Sequence, residues 1–208
     1  FATLDSNGGQ YTFHGARALI STDNPQVTKG QYSAAQIFVQ SGPQEHINAI
    51  QAGWAVNPKY HLGLRFAQTS VYGGKQVYGD YAITQDKETG HWWLIIGGVI
   101  KIGYWPKEIF TTLVGGATKV RYGGIVFANS ERVGPPMGNG HIPGGVFNKE
   151  SNFVGMQYVN INYNMVDIDP KIMEEKYGQG PCYSTRYYQY RESFGQCFGF
   201  GGPGGVTC

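Results

Sequence analysis

A chain of 208 residues has room for one domain with a sizeable core, residues 1–208. Gly 32 and Pro 10 make up about a fifth of it, yet 41% is hydrophobic and 14% aromatic, which excludes both disorder and collagen-like repeats. Only 14% is charged and the net charge is +2 with Lys and Arg scattered, so there is no basic stripe for nucleic acid, and no apolar run is long enough for a membrane span.

The chain begins at Phe1 without a charged and apolar leader, which reads as a processed mature form. Residues 1–15 suggest no definite element. His14 to Ser21 reads as a strand closed by Asp23-Asn24-Pro25, and Gln31 to Gln40 as another, with Tyr32, Ala34 and Gln36 on one face and Ala35, Ile37 and Val39 on the other. Ser41-Gly42-Pro43 turns the chain into Ile47 to Val56. There period-two alternation sends Ile50 and Trp54 one way and Gln51 the other, before Asn57-Pro58 ends the run. Residues 57–75 read as loop. Val77 to Thr84 and His91 to Gly97 form the clearest hairpin, with Gly90 in a turn position needing positive φ. Val99 to Trp105 follows as a strand.

Pro106 to Leu113 is the best helix candidate, with Pro at its first position, Glu108 near its positive end and Gly115 beyond its close. Thr118 to Ala128 reads as a strand interrupted by Gly123-Gly124, a bulge or a close backbone approach. Residues 129–146 hold eight Gly or Pro and read as a long surface loop. Phe153 to Met165 alternates as one strand, and Asp169 to Lys176 suggests one or two helical turns. The tail from Cys182 to Cys208 has a Tyr-rich strand and then a Gly-Gly-Pro-Gly-Gly turn. About nine strands with frequent turns indicate an all-β sandwich with one or two short helices.

The three cysteines, Cys182, Cys197 and Cys208, crowd the tail without Cys-x-x-Cys spacing, and a disulfide staple in a secreted protein fits them. Cys182–Cys208 would tie the last residue back onto the fold, and pairing of Cys197 with either stays open. No Gly-x-Ser-x-Gly elbow is present, and the histidines at 14, 46, 61, 91 and 141 show no metal-ligand spacing, so neither metal nor cofactor is expected. Glu45, Asp80, Glu131 and Glu150 are the candidates for paired carboxylates, and each reads more simply as a solvated charge at a turn.

Several phrases, in order along nearly the whole chain, resemble the neprosin family of secreted plant proteins. They are Tyr32-Ser33-Ala34-Ala35-Gln36-Ile37, Ile50-Gln51-Ala52-Gly53-Trp54, Thr89-Gly90-His91-Trp92-Trp93, Gly103-Tyr104-Trp105-Pro106, Tyr122-Gly123-Gly124, Met137-Gly138-Asn139-Gly140-His141 and Gly201-Gly202-Pro203-Gly204. The resemblance implies an antiparallel β-sandwich of two curved sheets, a removable pro-segment in the precursor, and a secreted, extracellular or vacuolar setting. It also implies descent from glutamic endopeptidases that cut beside proline in acid. There, one carboxylate activates water and a second group protonates or polarises the scissile amide. The positions matching the family's two glutamates are Gln51 and Ile125. A glutamine still donates a hydrogen bond to an oxyanion, but an isoleucine neither takes nor gives a proton.

On this resemblance the expected protein is a catalytically inactive relative with a binding, defence or storage role. The alternative is an active acid peptidase using other carboxylates. Trp54, Trp92, Trp93, Tyr104, Trp105, Tyr122 and His141 are the candidate groove residues for a peptide or polysaccharide partner, though a sandwich core also needs such bulk.

Overall fold

A computed structural model describes residues 1–7, 11–59, 63, 65–178, 181–206 and 208; of the residues discussed above, His61 lies outside this set. The strands are Ala2–Ser6 (β1), Gly15–Ser21 (β2), Tyr32–Ser41 (β3), Asn48–Val56 (β4), Tyr78–Gln85 (β5), Trp92–Ile96 (β6) and Ile100–Trp105 (β7). They continue with Lys119–Phe127 (β8), Ser151–Val159 (β9), Met165–Asp167 (β10), Met173–Tyr177 (β11), Ser184–Arg191 (β12) and Gly195–Gly201 (β13). Two antiparallel sheets result. One runs β11-β1-β8-β3-β4; the other runs β12-β13-β9-β2-β5-β6-β7, with β10 also paired to β9. The sheets stack with β3 over β2 and β4 over β5. The all-β sandwich expected from the strand pattern is what forms.

The core follows from alternation. Ala35, Ile37 and Val39 of β3 and Ile50, Ala52 and Trp54 of β4 face inward against Ala16, Ala18 and Ile20 of β2 and Tyr81 and Ile83 of β5. The alanines on β2 and β3 let the layers approach, while Trp54, Tyr122, Phe153 and Phe200 fill the wider parts. Trp54 Nε1 donates to the Ser21 carbonyl at 2.7 Å, so even its polar edge is satisfied across the sandwich.

Several expectations are corrected. Residues 2–6 form a strand buried at every position, with Ala2 and Leu4 in the core and Thr3 and Asp5 on the opposite face, an alternation too short to stand out in the sequence. The helix expected over 106–113 is only a 3-10 turn, Lys107–Ile109. That segment instead turns back so that the Thr111 and Thr112 amides donate to Asn48 Oδ1, and Trp92 donates to the Leu113 carbonyl. Beyond a short turn at Pro170–Ile172, residues 173–177 are not helical either: they pair as β11 along β1. Phe153 to Met165 is not one strand. Asn160 Oδ1 accepts from the Asn162 and Asn164 amides and folds it into the β9–β10 hairpin. The Gly/Pro-rich segment 129–146 also departs from a surface loop, because Met137 is fully buried. It is anchored by backbone bridges from Gly134 to Gly205 and from Met137 to Gly202.

Cys182 and Cys208 are disulfide-bonded, with their Cα atoms 5.8 Å apart. Cys197 is free and buried, and burial pushes its thiol pKa up to about 11.

Candidate functional site

β3 lies between β4 and β8, and its outward residues set what stands beside them. Phe38 pairs with Gln51 on one side and Arg121 on the other; Gln36 pairs with Gly53 and Gly123; Ala34 pairs with Ala55 and Ile125. The register through Gly123-Gly124 is continuous, so the glycine pair is a close approach and not a bulge, and Arg121, Gly123 and Ile125 share the outward face. At Gly53 (φ +155°) a Cβ would strike the Ala35 carbonyl oxygen, and at Gly123 (φ +152°) the Ala2 carbonyl oxygen. Both positions therefore require glycine, and the Gln36 side chain is flanked by two places with no side chain at all. The depression this leaves is a groove of about 380 Å³ lined by Tyr32, Gln36, Gln51, Asn57, Ile125 and Phe127.

The groove lining mixes side-chain amides with apolar groups and carries no charged residue. Gln51 is exposed on β4, which is an edge strand, so the groove opens to the side of the sheet. Gln36 Oε1 is buried and accepts no hydrogen bond. Burial raises the Tyr32 phenol above its ordinary pKa, with a hydrogen bond to Gln36 working the other way. The walls opposite the amides are the hydrocarbon of Ile125 and the Phe127 ring. Such a lining offers donors and acceptors to a ligand's amide or hydroxyl groups. It offers nothing that exchanges a proton near neutral or acid pH.

Charge appears further along the same face. Asp5 on β1 pairs with Arg121, and its carboxylate accepts from Arg121 Nε and Nη2, both at 2.8 Å. Lys119 Nζ lies 2.8 Å from the same carboxylate. Asp5 is buried, with its side chain 1% exposed. Burial pushes its pKa upward, but the hydrogen bonds from Arg121 and Lys119 outweigh this and hold it below the usual value. It is a fixed anion three strands from Gln51, about 14 Å at ordinary strand spacing.

The other candidate carboxylates lie away from the groove lining. Glu45 is exposed in a 3-10 turn, and Glu131 is exposed in the 129–146 segment. Asp80 is held by Arg17 in a two-bond pair at 3.0 and 2.8 Å. Glu150 is buried and accepts from the Tyr188 hydroxyl at 2.8 Å and the Gly145 amide at 2.9 Å, so it is not the solvated charge its turn position suggests. Asp23 is buried as well; burial raises its pKa against hydrogen bonds from Ser151 and Ser21. Among the described residues no group of three or more His, Cys, Asp and Glu is placed to hold a metal ion.

Of the aromatic candidates, Trp54, Trp92 and Tyr122 belong to the core and do not line the groove. The Tyr122 hydroxyl donates to the Gln157 carbonyl at 2.7 Å, and burial drives its pKa far up. Trp105 packs half-buried against the core, while Tyr104 is 51% exposed on edge strand β7, stacked on His91 and tilted against Trp93. His141 stacks on Tyr72 with ring centres 4.1 Å apart, again outside the groove. Trp54 and Tyr122 stand on the groove strands β4 and β8 but point inward, while the others come from strands or loops outside the groove. The ring-bearing residues that do line the groove are Tyr32 and Phe127, tilted at 59° with ring centres 5.8 Å apart where β3 begins and β8 ends. For Tyr32 and Phe127 the signal was present, since they share the Gln36 face of β3 and the Ile125 face of β8; for Asn57, beyond the end of β4, no local pattern pointed to the groove.

The family model described as Neprosin matches residues 29–61 and 58–203, which takes in β3, β4 and β8.

Proposed function

Because the chain belongs to the neprosin family, we propose that it is a secreted member in which the family's groove is kept as a binding surface and its proton-transfer chemistry is lost. The observation that carries this reading is the groove lining itself: Tyr32, Gln36, Gln51, Asn57, Ile125 and Phe127 include no carboxylate and no histidine. Amide hydrolysis by the glutamic route needs a water activated by a base and a leaving nitrogen that receives a proton. Gln51 supplies a hydrogen bond to a polarised carbonyl and no more. Ile125 supplies only contact area.

The ligand class that suits such a lining is an extended peptide. Side-chain amides donate and accept at once, which matches alternating N–H and C=O groups, and the edge position of β4 leaves room for a chain to enter. The Cys182–Cys208 disulfide fits an oxidising, extracellular setting. No helix among the described residues is long and apolar enough to cross a membrane. Defence and storage roles are both compatible with a binding protein of this kind.

The test is incubation of the pure protein with proline-containing peptides at acid pH, with mass spectrometry of the products. Intact peptides that nevertheless raise the thermal midpoint are the expected result. Cleavage that disappears when a single Glu or Asp is changed would return the protein to the acid endopeptidases and overturn the reading.

A further inference from the structure

The row Gln51–Phe38–Arg121–Asp5 crosses four neighbouring strands of the five-stranded sheet on its outward face. At its far end two cations, Lys119 and Arg121, converge on one carboxylate, Asp5. The remaining charged pair on this face, Lys176 and Glu174 of β11, lie 3.4 Å apart and offset each other. One positive charge is thus in excess. The cations' side chains are 21% and 27% exposed, against 1% for Asp5, so the anion is sealed in while the cations remain reachable. A lysine carries three N–H donors and an arginine five. Asp5 engages one nitrogen of Lys119 and two of Arg121, which leaves Arg121 Nη1 for another partner. The Arg121 guanidinium lies over the ring of Phe38, 5.8 Å from its centre, and charges partly withdrawn from water beside such a ring attract anions more strongly than fully solvated ones.

We propose that Lys119 and Arg121 form an anion subsite beside the groove on the same sheet face, and that the ligand is an acidic peptide whose carboxylate docks there. The inference rests on the groove-binding reading above and names the partner's charge. Two strand spacings separate Gln51 from Arg121, about 10 Å, and an extended peptide covers that distance in about three residues. An Asp or Glu about three residues from the segment over Gln51 therefore meets the cations. An acidic polysaccharide fits less well, because it carries charge at every ring whereas the Gln36–Gln51 end of this face is neutral.

The test compares a labelled proline-containing peptide carrying one Glu with its Gln counterpart, by fluorescence polarisation at low and high salt. The Glu peptide should bind about tenfold more tightly at low salt, the worth of one charged hydrogen-bonded contact, and the preference should shrink as salt screens it. Lys119→Gln should remove most of the preference; the variant keeps the two-bond Arg121–Asp5 pair, and the salt dependence of the unaltered protein tests the same point without any variant. Equal binding of the two peptides, or a preference untouched by Lys119→Gln, overturns the subsite and leaves the groove reading standing. Failure of both peptides to bind overturns the two together. Displacement of the Glu peptide by oligogalacturonate at lower concentration than by unlabelled Glu peptide would assign the cations to a polysaccharide and overturn the peptide ligand.

Discussion

Gly53 and Gly123 flank Gln36 in register, and each is held at positive φ with a neighbouring carbonyl oxygen where a Cβ would stand. Gly53→Ala should therefore cost about 2–3 kcal/mol, the strain of a non-glycine residue at such a φ together with the clash. Urea unfolding of the variant beside the parent measures it; an unchanged midpoint would mean that the β3–β4 pair has slack it is not expected to have. Ile125 poses the complementary question about chemistry. Ile125→Glu puts a carboxyl back into a groove whose other wall is Gln51, and a Glu/Gln pair has one member able to carry a proton. Acid cleavage of a proline-containing peptide should rise by at least about a hundredfold over the unaltered protein. If the variant folds and cleaves nothing, the loss of activity has more causes than position 125.

Among the elements, the two sheets hold buried carboxyls shifted in opposite directions, and their pH dependence should have opposite signs. Asp5 on β1 has its pKa lowered in the folded protein by Arg121 and Lys119. It contributes stability that is present above its unfolded value and lost as pH falls through the folded one. Asp5→Asn should cost about 3 kcal/mol at neutral pH, since it strands two cations, and progressively less in acid. Asp23, just after β2, has its pKa raised by burial. Its charged form is the unfavourable one in the fold, so it lowers stability above the unfolded pKa and contributes nothing well below it. Asp23→Asn should accordingly raise the unfolding midpoint at neutral pH and leave it unchanged in strong acid. Thermal melts of both variants across pH give the two curves; parallel curves would contradict the opposed shifts. The same scale explains the misread helices. Pro106 to Leu113 has good local helix signals, but its Thr111 and Thr112 amides are claimed by Asn48 and its Leu113 side chain by the core, and tertiary partners outweigh propensity.

For the molecule as a whole, the C-terminal tail is a fastening. The Cys182–Cys208 bond closes the tail onto the fold, and the bridges from Gly202 and Gly205 hold the 129–146 segment, whose Met137 lies under β8 beside Gly124. Replacing Cys208 by Ser should lower stability by about 3 kcal/mol through the freed unfolded-state entropy of a loop of this size. Calorimetry with and without reductant checks it, and a parent protein indifferent to reductant would mean that the tail adds little.

Alternation is a property of the chain alone, and it was enough to establish an all-β sandwich, to turn Gln51 away from Ile50 and Trp54, and to place Gln36 with Tyr32 on one face of β3. The phrases shared with the neprosin family likewise stand in the sequence without help from the fold. Only the tertiary structure decided that β3 runs between β4 and β8, which makes Gln36 the centre of the groove and seats Asp5 among Lys119 and Arg121. It also sent Trp54, Trp92 and Tyr122 into the core. A side chain's face depends on its immediate neighbours in sequence; which strands lie side by side depends on distant surfaces packing together, and no local pattern carries that information.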